Sequence, residues 1–117
     1  MIEQEGLIAP SFQDGTGAGL VNGELQTAVV GKGLRIKAGA NGRLVQNAGP
    51  MVGGTVVVAN SSITANTVVL LSHRGDGAGV GFIYESRAAR VAGVSFTVDS
   101  TNVADTGHFD YLLIEPS

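Results

Sequence analysis

The 117-residue sequence contains no Cys and no Trp, and only 15% of its side chains are charged. Without Cys there are no disulfides, thiolate metal ligands or cysteine nucleophiles, and the redox compartment leaves no mark on the chain. Four Phe and two Tyr are a thin supply for carbohydrate stacking or protein-binding hot spots. A net charge of -3 lacks the basic footprint of a nucleic-acid binder. Long apolar runs are missing too: Val56-Val57-Val58-Ala59 and Val68-Val69-Leu70-Leu71 fall far short of the roughly 20 residues that cross a bilayer. Met1-Ile2-Glu3-Gln4-Glu5 is acidic where a secretory leader is basic. These absences predict a soluble chain made in the cytoplasm, with no membrane or nucleic-acid partner and no cofactor.

What is present is aliphatic and glycine-rich. A hydrophobic fraction of 44% and 18 Gly in a chain of single-domain length predict one folded unit with its own core. Up to Gly23 the chain is acidic and studded with Gly, as in Asp14-Gly15-Thr16-Gly17-Ala18-Gly19. Such composition resists packing and predicts an extended N-terminal arm over residues 1–23, ahead of a single domain over residues 24–117. Within that domain, short β-branched segments are punctuated by Gly, Asn, Asp and Ser. The expected strands are 25–30, 33–37, 43–46, 55–59, 67–72, 81–87, 94–99 and 109–115. Eight short strands with turn signals every 8–12 residues predict an all-β, antiparallel β-sandwich or barrel.

Period-two alternation supports the strands. Leu34 and Ile36 alternate with Arg35 and Lys37, and Val94, Phe96 and Val98 with Ser95, Thr97 and Asp99. Val68 to Leu71 and Leu112-Leu113-Ile114 are instead apolar on both faces. In a small sandwich only one face of each sheet meets the core, so the second face is expected to meet another subunit. A helix over 84–92 has no cap and is disfavoured. Asn41-Gly42 signals a tight turn, and Gly75-Asp76-Gly77-Ala78-Gly79 a loop between two strands.

Chemistry-bearing motifs are weak. Ser72 and His73 are adjacent in a strand and point to opposite faces, so with Asp76 they make no nucleophile–base pair. Asp105, His108 and Asp110 form a turn rather than the definite geometry a metal requires. The glycine loop 75–81 lacks the lysine and hydroxyl of a phosphate-binding loop and no helix follows it. Arg74-Gly75-Asp76 and Asn60-Ser61-Ser62 match an integrin tripeptide and a glycosylation sequon in letters only. No catalytic or metal site is expected. One cluster stands out: Lys32, Arg35, Lys37 and Arg43 hold four of the seven cations, whereas the first 31 residues hold none and carry Glu3, Glu5, Asp14 and Glu24. That polarity predicts an electrostatic contact face, copy to copy or arm to body.

From Gly31 onward the chain resembles a module of tailed-bacteriophage virion proteins. The resemblance rests on Gly33-Leu34-Arg35-Ile36-Lys37 with Gly39-Ala40-Asn41, on Gly53 to Asn60, on Ile63 to Thr67, on Ser95 to Val98, and on Asp105-Thr106 with Asp110-Tyr111-Leu112-Leu113-Ile114-Glu115-Pro116. This small β-domain is found in capsid decoration proteins and at the ends of some tail fibres and spikes. The resemblance implies a non-enzymatic β-sandwich, often jelly-roll-like and often trimeric. A fibre or spike needs a shaft before such a domain, and about 30 residues precede it here. The expected function is therefore a decoration, or cement, protein on the capsid outer surface that binds the major capsid protein and stabilises the head by mass action. A homotrimer is expected, a homodimer being the alternative, with Ile2, Leu7, Ile8 and Phe12 of the arm as apolar anchors on the coat. The competing expectation is a receptor-binding tip at the end of a tail fibre.

Overall fold

The computed structural model describes residues 20–21, 24–25 and 28–117 of the chain. The chain divides into two units, residues 1–36 and residues 37–117. In the first, β1 (Leu20–Val21) and β2 (Glu24–Leu25) pair antiparallel, Leu20 opposite Leu25 and Val21 opposite Glu24. A turn follows in which the Lys32 N–H donates to the Val29 carbonyl, 3.1 Å. The alternating segment 33–37 forms no strand, although its apolar and polar side chains alternate as a strand's do.

The second unit is all-β, two three-stranded antiparallel sheets packed as a sandwich. Its strands are β3 (Leu44–Ala48), β4 (Thr55–Ala59), β5 (Val68–His73), β6 (Ile83–Glu85), β7 (Ser95–Ser100) and β8 (Phe109–Ile114). One sheet has the order β3-β8-β5 and the other β4-β7-β6. The first strand of the unit thus pairs with its last and the second with its second-last, the nested pattern of a long hairpin rolled into two layers. This is the jelly-roll-like antiparallel sandwich expected from sequence. The segment in which a helix is disfavoured and a strand over 81–87 expected forms β6, Ile83–Glu85, followed by one 3-10 turn, Arg87–Ala89.

The alternation of β7 and β8 decides which face is dry. In β7, Phe96 and Val98 are buried, and in β8, Phe109, Tyr111 and Leu113. They meet Val58 of β4, Met51 and Ile63, and Val45, Ala48, Val56, Val69, Leu71 and Ile83 complete the layer. The Phe96 and Tyr111 rings lie edge to face with centroids 5.0 Å apart, a geometry their quadrupoles favour. Val94, at the head of the expected β7 alternation, is exposed.

Strand connections sort to the two ends of the sandwich. Residues 49–54, 74–82 and 101–108 join strands at one end, hereafter the loop end. Residues 60–67 and 86–94 lie at the other, with the start of β3 and the end of β8. Polar groups buried at this second end are fully engaged. Asn60 donates to the Gly42 carbonyl (3.1 Å) and the Tyr111 hydroxyl (2.8 Å) and accepts from the Ser62 N–H (2.8 Å). Arg90 grips Glu85 through Nε (2.8 Å) and Nη2 (2.5 Å), and its Nη1 donates to the Thr64 carbonyl at 3.0 Å.

Candidate functional site

The loop end is organised by one carboxylate. Asp105 is fully buried and accepts four kinds of donor: the Ser100 hydroxyl (2.7 Å), the Gly107 N–H (2.9 Å), the Gly81 N–H (3.0 Å) and His73 Nε2 (3.1 Å). Burial pushes its pKa up, but the Gly107, Ser100, His73 and Gly81 donors outweigh that and hold it at about 2. The His73 tautomer follows from its other nitrogen: Nδ1 accepts from the Gly75 N–H at 2.7 Å, so Nε2 carries the proton given to Asp105. Ser100, Asp105 and His73 have the letters of a catalytic triad but not its wiring. Serine and histidine both donate to the same carboxylate, so the hydroxyl has no base and its proton is already committed.

The lock fixes three loops against one another. The Ala78 N–H donates to Thr106 Oγ1 (2.9 Å), the Thr106 N–H to the Ala78 carbonyl (3.0 Å), and the Met51 N–H to the Gly107 carbonyl (3.0 Å). The His108 N–H donates to Asp76 Oδ1 at 2.7 Å, and that backbone donor is the main reason the Asp76 pKa is lowered. Approach is so close that a Cβ at Gly79, whose φ is +64°, would sit 2.6 Å from the Ala104 carbonyl carbon. Held in this way, the loops display apolar side chains at their tips: Val52, Val80, Phe82 and Val103 are exposed, Phe82 by 84% and Val103 by 79%. Rigid loops carrying exposed apolar side chains on a sandwich end are a common form of recognition surface.

A second surface lies on the outer face of the β3-β8-β5 sheet. Leu44 pairs with Leu112, Leu112 with Leu70, and Val68 with Ile114, so five aliphatic side chains form one patch. Leu70, Val68 and Ile114 remain about half exposed. Around Leu44, Leu70 and Leu112 the patch sinks into a shallow groove of about 170 Å³ whose polar margin is Ser72 and Asp110. The expectation that Val68 to Leu71 and Leu112-Leu113-Ile114 are apolar on both faces is thus realised, and among the described residues their second face is partly exposed.

The sequence-derived site residues have mixed outcomes. Ile2, Leu7, Ile8 and Phe12 lie outside the described residues. Lys32 and Arg35 belong to the first unit and Lys37 and Arg43 to the second, and Arg43 is already paired with Glu115 at 3.4 Å. The two motifs set aside from sequence have structural explanations. Arg74 is bound to Asp110 (2.7 Å) and Asp76 to His108 (3.0 Å), which leaves no open Arg-Gly-Asp tip. Asn60 is inaccessible in the core, so its sequon offers no acceptor. Among the described residues no three of His, Asp and Glu converge as metal ligands, and no helix is long and apolar enough to cross a membrane. Sequence reading missed the His73–Asp105 pair, since only the topology brings β5 to the 101–108 loop.

Comparison with known proteins adds one finding. The family described as the C-terminal domain of K1 capsule-specific polysaccharide lyase matches residues 50–114, from the turn before β4 to the end of β8. Neither the curated proteins nor the solved structures contain a match. The matched segment holds five of the six sandwich strands, the Asp105 lock and all four exposed loop tips. With more than half its length inside that match, the chain belongs to the K1 capsule-specific polysaccharide lyase C-terminal domain family, a phage tail-associated module of virion proteins.

Proposed function

We propose that this chain is a non-enzymatic recognition module of a bacteriophage tail, which contacts the host surface through the loop end of its sandwich. The observation that carries the reading is the rigid display of Val52, Val80, Phe82 and Val103 on loops locked by Asp105. A catalytic centre needs a nucleophile or base free to meet substrate, whereas here Ser100, His73 and Asp105 satisfy one another. The lyase activity in the family name belongs to the enzyme that bears it; a small C-terminal sandwich supplies position and attachment. Membership of a tail-associated family favours the tip reading over shell decoration, and on the tip reading the principal partner is the cell surface instead of the major capsid protein.

Location on the particle tests this directly. Gold-labelled antibody against the chain should mark the tail of purified virions, with a handful of grains per particle. Label spread in hundreds of copies over the head would overturn the tail reading and restore the cement protein.

A further inference from the structure

We propose that Asn41 is a deamidation site gated by the fold: the 39–42 turn is held unreactive by the 60–62 loop, and modification follows when that contact opens. The inference is independent of where on the virion the protein sits.

The turn requires a pair of residues that is chemically labile. Residue 41 has φ of +58°, in the left-handed region that Asn tolerates better than most side chains. At residue 42 a Cβ would lie 2.8 Å from the Gly39 carbonyl oxygen, so the position calls for Gly. In an Asn-Gly pair the next backbone nitrogen has no side chain beside it to hinder attack on the Asn amide carbon, and that attack is intramolecular. Asn41 is also exposed, so water reaches it. The conformation that demands Asn and Gly thereby places a reactive pair at the point where the chain enters β3.

In the closed fold the reacting groups have other partners. The nucleophile, the Gly42 nitrogen, donates its N–H to the Gly39 carbonyl at 3.0 Å. The electrophile is anchored through Asn41 Oδ1, which accepts from the Ser61 N–H at 3.0 Å. The backbone around them is pinned as well: the Asn41 carbonyl accepts from Ser62 Oγ (2.5 Å) and the Gly42 carbonyl from Asn60 Nδ2 (3.1 Å). Asn60 cannot follow a moving turn, because it is buried and its Nδ2 also donates to the Tyr111 hydroxyl. Ring closure must turn the Gly42 nitrogen onto Asn41 Cγ, so these bonds have to open first and the rate follows the population of the open turn.

Once the turn is open, the step balances with water as the sole co-reactant. The Gly42 nitrogen gives up its proton and bonds to Asn41 Cγ, the Cγ–Nδ2 bond breaks, and ammonia departs from a five-membered succinimide. Water then opens either carbonyl of the ring. One product is aspartate, whose carboxylate can still accept from the Ser61 N–H. The other is isoaspartate, which carries the chain through Cγ and lengthens the backbone, so that Gly42 no longer meets both Gly39 and Asn60. The second product makes the opening permanent.

The test is the rate of deamidation at Asn41 in the full chain, incubated folded at mildly alkaline pH. Trypsin applied afterwards cuts at Lys37 and Arg43, and the released peptide 38–43 isolates Asn41 for mass spectrometry. The folded chain should react there at least roughly 30-fold more slowly than the same chain unfolded in denaturant. Ser62→Ala, which removes one hydroxyl from the clamp, should speed the reaction of the folded chain roughly 5-fold. Thr55→Ala removes a comparable hydroxyl bond, to Asp99 on the other sheet, and should leave the rate at its wild-type value. Equal rates in the folded and unfolded chains overturn the inference. So does a Ser62→Ala rate equal to wild type, or a Thr55→Ala rate raised as far as that of Ser62→Ala, which would make global unfolding the gate.

Discussion

Replacing Asp105 by Asn preserves its shape and removes its charge, and the hydrogen bonds show why that is severe. The four donors around the carboxylate require an acceptor at both oxygens, so an amide nitrogen would meet a donor head-on. Asp105→Asn should cost about 3 kcal/mol of stability, measured by denaturant unfolding. The pH dependence has a definite sign. The folded-state pKa is lowered to about 2 from 3.8, so this group stabilises the fold fully above about pH 4. That contribution, about 2 kcal/mol, is lost as pH falls from about 4 to about 2, a loss absent from the Asn variant. The individual residues of this lock were visible in the sequence, but their association was not. His73 and Asp105 stand 32 residues apart, and no local pattern encodes a contact made by the pairing of β5 with β8. Asn60 likewise resembles a loop residue until its three hydrogen bonds in the core are seen.

At the scale of elements, strands with strong alternation and a waiting partner were legible. Thr55–Ala59 begins and ends where its composition indicates, and Phe96 and Val98 face inward as the period requires. Residues 33–37 alternate equally well yet form no strand, because alternation selects a face and not a partner. A strand also needs a neighbouring backbone to receive its hydrogen bonds, and among the described residues the bridge next to this segment pairs Ala38 with Leu44, just beyond its end. Asn41 makes the tight turn its Asn-Gly pair foretells, with φ of +58°, but the turn leads into β3 without closing a hairpin. The connection 86–94 depends on Arg90, which joins Glu85 to the carbonyls of Thr64 and Ala65. Both partners are almost wholly buried, so truncating one strands the other's charge. Arg90→Ala should therefore cost about 3 to 5 kcal/mol, whereas Arg87→Ala in the same loop should change unfolding by less than about 0.5 kcal/mol.

For the whole molecule, the sandwich carries its exposed apolar loop residues at one end and a separate aliphatic patch on the outer face of the β3-β8-β5 sheet. Phe82→Ala combined with Val103→Ser removes apolar area only from the exposed loop tips. Virions carrying the pair should adsorb to host cells at least roughly 30-fold more weakly, with unfolding of the isolated chain unchanged within about 0.5 kcal/mol. Unchanged adsorption would detach the loop end from recognition. The nested pairing has a further consequence. Leu44 lies opposite Leu112, and the Leu113 N–H reaches the Arg43 carbonyl at 2.7 Å, so the points where the chain joins and leaves the sandwich sit one strand spacing apart. Both are at the end remote from the loop tips. A body with such adjacent termini can be spliced into a surface turn of an unrelated protein without stretching its host, and it will present the same four loop tips outward wherever it is placed.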